Sequence, residues 1–380
     1  MNEGHHRTGA PHPLVIERSV NVLCHLSALR FGRHYLTRPC GEVQNCVVPP
    51  EIKPTTISRH AYGVYPSMAM LAGMKLDVFT PLKDGPMTAT ALGDRLDVKP
   101  DKLRPLLYAL VQAELLSVAG DRFANTPEAD VYLVRGRPAY LGSAHELYCD
   151  LWSAALTAGQ SIGSGVPQVK HDFATMPDEE LAAFFRGLHP GALATGRQLA
   201  ASYGFGRFRN LLDVGGGSGG VAIAACESCP DLKATVIELP KVAPIARSMV
   251  HEAKLANRVQ VLAADILERA PEGRFDAAVL RNLIQVLGPD AARRALQNVG
   301  AAIERGGALF VVGHVLEDTR LAPAAAVGLN LAFLSIYDEG QAHTEREHRT
   351  WLADAGFSDV DVRYGAAPGG ASIVAARKTE

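Results

Sequence analysis

Two different periods of apolar residues alternate along the C-terminal half of the chain, which predicts strands alternating with helices. Short apolar runs are typical of buried strands, and longer segments with apolar residues three or four apart are typical of helices. The expected order is strand 211–214, helix 219–229, strand 234–238, helix 242–255, strands 259–262 and 277–280, helix 289–304 and strand 308–312. This alternation indicates a parallel sheet with helices on both faces and right-handed connections. The sequence therefore predicts an α/β fold with a doubly wound sheet.

The end of the chain has its own start and turn signals. Thr344-Glu-Arg-Glu347 reads as a capping box that begins a helix ending at Gly356. Two apolar runs, 361–364 and 372–376, flank the turn residues 368–370. We expect these runs to close the chain as a hairpin.

Upstream of the sheet the pattern is helical. Helices are predicted at 62–72, 75–79, 88–96 and 100–116, and a short hairpin at 117–125. Helices followed by a hairpin predict a winged helix, a module that can place its second helix in a DNA major groove. That helix carries only Lys99, Lys102 and Arg104 near its start. So little positive charge makes a poor phosphate clamp, and we predict no nucleic-acid partner.

Three further helices are expected. They are 142–156, a connector over 179–201 that breaks at His189-Pro190, and 323–337.

Composition narrows the class of protein. At 380 residues the chain exceeds what one core usually serves, so two domains and an appendage are expected. The balance of 38 basic and 40 acidic residues leaves no electrostatic footprint for nucleic acid or anionic lipid. No apolar run is long enough to cross a membrane, and the first thirty residues lack the apolar centre of a signal peptide. We therefore expect a cytoplasmic protein with a small-molecule partner.

Cysteine and histidine usage points to no metal. The six cysteines are too few and too scattered for a disulfide framework in a chain of this length. Cys226 and Cys229 have no second pair to complete a zinc site, so packing is the better interpretation. His5 and His6 fit a solvated terminus better than a metal site.

Five glycines in six residues interrupt the apolar run that begins at Leu211. Strand, tight turn and helix follow one another there, and glycines let backbone N–H groups approach a ligand closely. Gly215, Gly217 and Gly220 also satisfy the dinucleotide spacing G-x-G-x-x-G, which is a weak signal by itself. The turn is therefore predicted to hold a cofactor, of a kind that glycine spacing alone does not decide.

Three acidic residues at the predicted strand ends help to decide it. Asp213, just before the first glycine, would face a pyrophosphate badly but suits a ligand with an ammonium and a sulfonium group. Glu238 ends the second strand, where a ribose diol needs a carboxylate acceptor. Asp265 follows the third strand, where it could accept from an adenine amino group. This pattern favours S-adenosylmethionine over NAD.

At this point a resemblance becomes specific. The motifs that carry it, in order, are Asp213-Val-Gly-Gly-Gly-Ser-Gly219, Glu238-Leu-Pro240, Ala264-Asp265-Ile266, Phe275-Asp276 with Arg281, and Ala355-Gly-Phe357. Their order and intervals over roughly residues 60–380 resemble the two-domain small-molecule O-methyltransferases, of plant phenylpropanoid and bacterial polyketide and carotenoid tailoring type. The resemblance implies a class I methyltransferase fold whose last strand is reversed, preceded by a winged-helix dimerisation domain, and hence a homodimer.

The resemblance also implies roles for individual residues. It sets Gly215 and Gly217 against the methionine moiety, Glu238 on the ribose, Asp265 with Ile266 near adenine, and Arg281 towards the methionine carboxylate. In this family the region equivalent to 142–156 lines the acceptor pocket, which nominates His145, Tyr148 and Trp152. Asn330 and Phe333 on the 323–337 helix would face the acceptor as well. Packing between domains or within the core explains these five side chains equally well.

We expect three regions. They are an N-terminal extension at 1–58, partly flexible, a winged-helix-like dimerisation domain with acceptor-pocket helices at 59–185, and the S-adenosylmethionine-binding domain at 186–380.

The sequence departs from the family at the general base. Gln285 stands where most members place a catalytic histidine, and Gly313 and Ala342 stand where two glutamates would steer it. Gln cannot take up a proton at neutral pH. Either His314 or His343 supplies the base instead, or the reaction proceeds by positioning, with Gln285 orienting the acceptor.

The sequence as a whole predicts methyl transfer from S-adenosylmethionine to a hydroxyl of a small aromatic or polyketide-like acceptor. Three alternatives stay open at this level. They are C- or N-methylation, a non-methylating reaction that uses bound S-adenosylmethionine, and a winged-helix regulator with a vestigial cofactor domain.

Overall fold

The computed structural model describes residues 52–379. Up to residue 51, the predicted N-terminal extension with His5, His6 and three of the cysteines lies outside the described residues. Residues Thr55–Glu380 form one compact unit.

Helices and strands alternate through most of this unit. The helices are α1 Thr55–Tyr62, α2 Tyr65–Lys75, α3 Ala89–Leu96, α4 Pro100–Gln112, α5 Pro127–Tyr132, α6 His145–Leu156, α7 Ala158–Ser164, α8 Asp178–Ser202, α9 Gly220–Ser228, α10 Ala243–Glu252, α11 Pro289–Ala302, α12 Ala324–Ile336 and α13 Glu345–Asp354. The strands are β1 Met87–Thr88, β2 Leu116–Ala119, β3 Arg122–Asn125, β4 Asn210–Val214, β5 Lys233–Glu238, β6 Val259–Ala263, β7 Phe275–Arg281, β8 Ile303–Gly313, β9 Val315–Leu316, β10 His343–Thr344, β11 Phe357–Arg363 and β12 Ser372–Lys378.

Seven strands form the central sheet, in the order β11-β12-β8-β7-β4-β5-β6. β4 to β8 run parallel, and β12 is antiparallel to both of its neighbours, β8 and β11. The predicted doubly wound sheet and its reversed last strand are therefore confirmed. The chain leaves β4 for β5 and β6 and returns on the other side of β4 as β7, so the carboxyl ends of β4 and β7 flank the switch point where ligands bind in such sheets.

Burial follows the sequence pattern closely. Leu211, Leu212 and Val214 of β4 are fully buried because both faces of a parallel sheet are covered by helices. Two large apolar clusters lie on the two faces of the sheet, one including α9 and α10 and the other including α11 and α13. The Thr344 capping box is present, with the Thr344 side chain accepting from the Glu347 N–H and the Glu347 side chain accepting from the Thr344 N–H.

The N-terminal part combines helices with a small sheet. Strands β2 and β3 form the predicted hairpin, which turns at Gly120 with positive φ, and β1 adds a third antiparallel strand. Helices α2, α3 and α4 pack on this sheet around a separate apolar cluster that includes Leu107, Leu110 and Phe123. The helices expected at 62–72, 88–96 and 100–116 and the hairpin were predicted, whereas β1 was not. The helix expected at 75–79 was wrong, because α2 ends at Lys75.

Helix α8 differs from its prediction. The break expected at His189-Pro190 is absent, and the helix runs for 25 residues with Pro190 inside it. An interior proline removes one backbone hydrogen bond and costs about 3 kcal/mol. Residues around it, Phe185, His189 and Ala192, lie against the glycine turn, and this packing offsets the cost.

Candidate active site

The glycine turn lies at the carboxyl end of β4. Gly215, Gly217 and Gly219 all have positive φ, a conformation that side chains rarely adopt. A Cβ at Gly216 would lie 2.7 Å from Val236 and 2.9 Å from the Asp213 carboxylate. The backbone follows this path only because these positions carry no side chain.

Glu238 connects the end of β5 to that turn. Its Oε2 accepts a hydrogen bond from the Gly217 N–H at 2.7 Å, and its Oε1 accepts from the Leu239 N–H at 2.8 Å. The carboxylate is buried, and burial raises the pKa of Glu238 although both backbone donors oppose the shift. The structure thus brings Glu238 and Gly217 together, a contact that the sequence did not predict.

Asp213 is more enclosed than we expected. The side chain is fully buried, and Oδ2 accepts from the Ala222 N–H in the first turn of α9 at 3.2 Å. Oδ1 has no hydrogen-bond partner among the described residues. Burial raises the pKa of Asp213 to about 7, with the positive charge of Arg281 acting in the opposite direction. A carboxylate this enclosed braces the turn and the start of α9 and leaves one oxygen unpaired.

Arg281 ends β7 beside Asp213 and faces helix α8. Its Nε donates to Thr195 Oγ1 at 3.1 Å, and a Cβ on Gly191 would lie 2.9 Å from the guanidinium. Burial lowers the pKa of Arg281 to about 10, which leaves it protonated at neutral pH. The cation is therefore held between the sheet and α8.

Asp265 and Ile266 follow β6, next to the end of β5. The Ala264 N–H donates to the Glu238 carbonyl at 3.0 Å, which holds the two strand ends together. Asp265 is half-buried, and its Oδ1 accepts from the Leu267 N–H at 2.8 Å. Ile266 is buried, and its carbonyl accepts from Asn298 Nδ2 at 2.7 Å.

These residues fit S-adenosylmethionine. The turn is kept free of Cβ atoms, two carboxylates at neighbouring strand ends suit the hydroxyl and amino donors of adenosine, and the half-buried Arg281 cation lies at the end of β7. The unpaired Asp213 Oδ1 adds acceptor capacity beside the turn. The donor set matches the charge pattern of an amino-acid sulfonium joined to a nucleoside.

Gln285 lies in a short turn of 3₁₀ helix after β7 and is buried. Its Oε1 accepts from the backbone N–H of His314 at 2.7 Å. A Cβ on Gly313 would collide with that same oxygen. Gln285 and Gly313 are two of the three departures from the family pattern. They are therefore sterically coupled.

His314 follows the end of β8 and is half-buried. Its ring lies 6.2 Å from the Phe333 ring, measured between centroids. Burial, reinforced by the positive charge of Arg281, lowers the pKa of His314 to about 4. The ring is neutral at neutral pH, and so low a pKa makes it a weak proton acceptor.

His343, the second candidate histidine, lies in a fully packed environment. The side chain is fully buried, with its ring 4.8 Å from the Trp351 ring in an edge-on contact. Nε2 donates to the Leu287 carbonyl at 2.9 Å, and Nδ1 is enclosed without a partner in the described part of the chain. An acceptor cannot reach this ring, whose contacts are those of a packing residue.

Helix α6 carries His145, Tyr148 and Trp152, which the family resemblance nominated for the acceptor pocket. Tyr148 and Trp152 stack with centroids 6.4 Å apart, and Tyr148 also packs against the N-terminal apolar cluster. His145 Nδ1 lies 3.0 Å from Glu146 Oε1, and Glu146 in turn pairs with Lys75. His145 and Tyr148 are thus engaged with the N-terminal helices.

Helix α12 holds the other two nominated side chains. Phe333 is buried between His314 and Tyr337, with centroid distances of 6.2 Å and 5.9 Å. Asn330 Oδ1 accepts from the Ala342 N–H at 2.6 Å and so holds the loop that precedes β10. Phe333 therefore lies beside His314, while the Asn330 oxygen is already bonded.

Sequence analysis missed a row of aromatic rings between the turn and α12. Phe185 packs on Gly217, and successive ring contacts of 5 to 6.5 Å lead through Phe184 and His171 to Tyr337. Asp150 pairs with His171 Nε2 at 2.9 Å. The adjacent Phe184-Phe185 pair was the available signal, but nothing in its spacing indicated which surface it covers.

Together, the sheet with its reversed strand and the glycine turn beside strand-end carboxylates define a class I methyltransferase. The chain belongs to the O-methyltransferase family. The O-methyltransferase domain matches residues 161–358, and the O-methyltransferase dimerisation domain matches residues 58–135. The protein is therefore an S-adenosylmethionine-dependent O-methyltransferase.

Named relatives agree with this assignment. The chain is 28% identical over 338 residues to 3-hydroxy-5-methyl-1-naphthoate 3-O-methyltransferase of Streptomyces sahachiroi, covering 87% of this chain and 97% of the relative. It is also 28% identical over 313 residues to the tetracenomycin polyketide synthesis 8-O-methyl transferase of Streptomyces glaucescens, covering 81% and 92%. These findings favour O-methylation over C- or N-methylation, a non-methylating reaction or a regulator.

A solved structure shares the fold. Human N-acetylserotonin methyltransferase in complex with S-adenosylmethionine superimposes with a TM-score of 0.72 at 21% identity, covering 87% of this chain and 99% of that chain. Separately, none of the helices within residues 52–379 combines the length and the apolar character needed to span a membrane.

Proposed function

We propose that the protein methylates a hydroxyl of a flat aromatic or polyketide-like acceptor without a histidine general base. The observation that carries this proposal is the aromatic row from Phe185 to Phe333, which leads from the glycine turn to Gln285 and His314. Ring faces of this kind suit a planar apolar molecule. Gln285 stands at the position where a proton acceptor would be expected.

The same residues that fit the cofactor are proposed to hold it. Glu238 would accept from the ribose hydroxyls, Asp265 with Ile266 would bound the adenine, and Arg281 would pair with the methionine carboxylate. Gly215 and Gly217 would let the chain approach the methionine part, and Asp213 would brace that turn. The bound cofactor supplies an electrophilic methyl group on a sulfonium.

Positioning then does most of the work. Holding two reactants in line can be worth effective molarities of about 10⁵–10⁸ M, whereas a general base adds about 10²–10⁴-fold. The aromatic row, whose rings are buried or half-buried, would exclude water and align the acceptor, and Gln285 would orient its oxygen. Tyr148, Trp152 and Phe333 are proposed to shape the acceptor pocket, and His145 and Asn330 to position its walls.

We also propose that the protein acts as a homodimer. The dimerisation domain begins within α1, and α1 and α2 expose Ile57, Tyr62, Tyr65 and Met68. Several large apolar side chains exposed on two successive helices are typical of an interaction site.

One experiment tests the function. The purified chain is incubated with S-adenosylmethionine and a panel of phenols and naphthols, and S-adenosylhomocysteine and methyl ethers are measured by mass spectrometry. Absence of S-adenosylhomocysteine with every acceptor would contradict methyl transfer. A methylated carbon or nitrogen, identified by NMR, would contradict O-methylation.

A binding experiment tests the cofactor residues. Glu238→Gln places an amide where an acceptor oxygen is needed, so we expect S-adenosylmethionine affinity by calorimetry to fall about 10- to 100-fold. The matched control is Glu304→Gln, an exposed glutamate on β8, for which we expect no change. Equal affinities of the two variants would remove Glu238 from the cofactor site.

A further inference from the structure

We propose that Gln285 donates a hydrogen bond from its side-chain amide to the acceptor oxygen, and that the acceptors of this enzyme are hydroxyls already ionised in solution, that is, acidic phenols and enols. This inference rests on the proposed function and specifies its substrate class. The structure supports it in four steps.

The orientation of the Gln285 amide is fixed by chemistry. The group facing it is the backbone N–H of His314, which can only donate, so the atom 2.7 Å from it must be the carbonyl oxygen. The NH₂ group therefore points away from β8. Reversing the amide would set two donors against each other and leave a buried N–H unsatisfied.

Gly313 keeps the amide in that position. Any Cβ at residue 313 would collide with Gln285 Oε1, and Gln285 as a whole is only 7% exposed. The glutamine side chain thus fills the space that a side chain on the last residue of β8 would need. Little freedom is left for the amide to turn.

The NH₂ group is available to a ligand. Gln285 Nε2 makes no hydrogen bond to any residue in 52–379. The enclosed side-chain atoms that lack a partner in this range include Asp213 Oδ1 and His343 Nδ1 but not Gln285 Nε2. A donor that has no partner and is not sealed inside the protein is suited to an oxygen of the acceptor.

The charges around this donor favour an anion. Arg281 at the end of β7 is protonated, and His314 is a neutral ring whose pKa is held down by burial and by that cation. Asp213, whose pKa is raised, lies beside Arg281, and the buried His343, whose pKa burial lowers, donates to the Leu287 carbonyl two residues along the chain from Gln285. None of these is placed as an efficient proton acceptor, whereas a charge-assisted hydrogen bond to an oxyanion is stronger than one to a neutral hydroxyl.

The transfer step then needs no proton acceptor in the protein. The hydroxyl proton leaves to the buffer before the acceptor binds. The acceptor oxygen forms the O–C bond with its own electron pair while the C–S bond breaks. The electron pair of the broken C–S bond stays on sulfur. The products are a methyl ether and a neutral thioether, so atoms and charges balance.

Two flat probes of similar size separate this mechanism from general-base catalysis. At neutral pH 2-hydroxy-1,4-naphthoquinone is an anion and 2-naphthol is a neutral phenol. We expect the parent protein to methylate the quinone and to be at least about 100-fold slower on 2-naphthol. For 2-naphthol, kcat/KM should rise with pH in step with ionisation of the naphthol itself.

Gln285→Glu is the matching variant, because it keeps the size and the bond to the His314 N–H but replaces the donor by a carboxylate oxygen. We expect methylation of the quinone to fall about 10- to 100-fold and methylation of 2-naphthol to rise. Gln285→Met, which has neither donor nor base, should lose quinone methylation without gaining 2-naphthol methylation. Gln112→Glu, at an exposed position on α4, is the control.

Binding gives a readout besides activity. The coloured quinone anion should keep its spectrum when it binds the parent protein, and its affinity should fall in both Gln285 variants while S-adenosylmethionine affinity stays constant. Equal parent rates on the two probes, or an unchanged rate ratio in Gln285→Glu, would overturn the proposal and leave O-methylation standing. Failure of both probes as substrates of a protein that binds S-adenosylmethionine and methylates other, weakly acidic phenols would also overturn it.

Discussion

At the scale of single residues, the charge of Asp213 conflicts with its buried surroundings. Burial raises its pKa from 3.8 to about 7. Between those values the folded state holds a proton that the unfolded state has released, so stability is lost as pH rises through this window. One pKa unit corresponds to 1.36 kcal/mol, and the shift therefore corresponds to about 4 kcal/mol.

Asp213→Asn should remove this pH dependence, because the amide oxygen can still accept from the Ala222 N–H without carrying a charge. We expect the melting temperature of the ligand-free variant, measured by calorimetry, to exceed that of the parent. The difference should grow as pH rises from mildly acidic to mildly alkaline. Asp94→Asn, at an exposed position on α3, is the control and should show no such trend. A constant difference in melting temperature across pH would contradict the raised pKa.

Gly313 gives a second test at this scale. In Gly313→Ala the new Cβ must displace Gln285 Oε1, and the His314 N–H loses its acceptor. We expect kcat to fall about 10-fold or more, as loss of one hydrogen bond to an acceptor anion implies, with S-adenosylmethionine affinity unchanged. Gly163→Ala on α7, where a Cβ meets nothing within 4 Å, should leave both quantities as they are. An unaffected kcat in Gly313→Ala would show that the position of Gln285 does not matter.

Residue positions were predictable only where the local sequence pattern decides them. Glu238 and Asp265 end apolar strand runs, so their place at neighbouring strand ends followed from the sequence. The enclosure of His343 by Trp351 depends on how the chain packs in three dimensions. No local sequence pattern indicates it. The orientation of Gln285 depends in the same way on a backbone N–H 29 residues away.

At the scale of elements, α8 is the helix that packs against the glycine turn. A Cβ on Gly217 would lie 2.9 Å from the Phe185 ring, and His189 Nδ1 lies 2.9 Å from Ser218 Oγ. Gly217 also has φ of +57°, which costs an ordinary residue about 1–2 kcal/mol. Two separate penalties therefore act at this position.

Gly217→Ala combined with changes at Phe185 separates the two penalties. We expect Gly217→Ala alone to weaken S-adenosylmethionine binding by more than about 10-fold, measured by calorimetry. Adding Phe185→Ala removes the ring that the new Cβ meets, so part of the loss should be recovered relative to Phe185→Ala alone. Strictly additive effects would mean that α8 does not press on the turn.

Helix and strand order was largely predictable, and the errors have physical causes. Each of β4, β5, β6 and β7 was expected within two residues of its observed bounds, because a buried parallel strand is a continuous apolar run. The start of β8 was placed five residues too late, because Glu304, Arg305 and two glycines interrupt its apolar run. The break expected in α8 was wrong, since packing of the helix on the glycine turn outweighs the local penalty of Pro190. The two-residue strands β1, β9 and β10 were missed because so short a pairing leaves no periodic signal.

At the scale of the whole molecule, the apolar side chains of α1 and α2 are a feature that residues 52–379 leave exposed. Ile57, Tyr62 and Tyr65 are each more than 60% exposed, and the Tyr62 and Tyr65 rings stack on each other with centroids 6.3 Å apart. No residue of α1 is buried. A helix without buried residues contributes little to its own chain, so we expect its apolar face to be covered by a second copy.

Tyr65→Glu tests this expectation, because it would place an unpaired charge inside the interface. Removing or mispairing a buried charge costs about 3–5 kcal/mol, so we expect the dimer dissociation constant to rise at least about 100-fold. Sedimentation velocity over a range of concentrations measures it. Ala256→Glu introduces the same charge at an exposed position beyond α10 and should leave the parent dimer intact. A parent protein that sediments as a monomer at every concentration, or a Tyr65→Glu variant that stays dimeric, would show that this face does not join two copies.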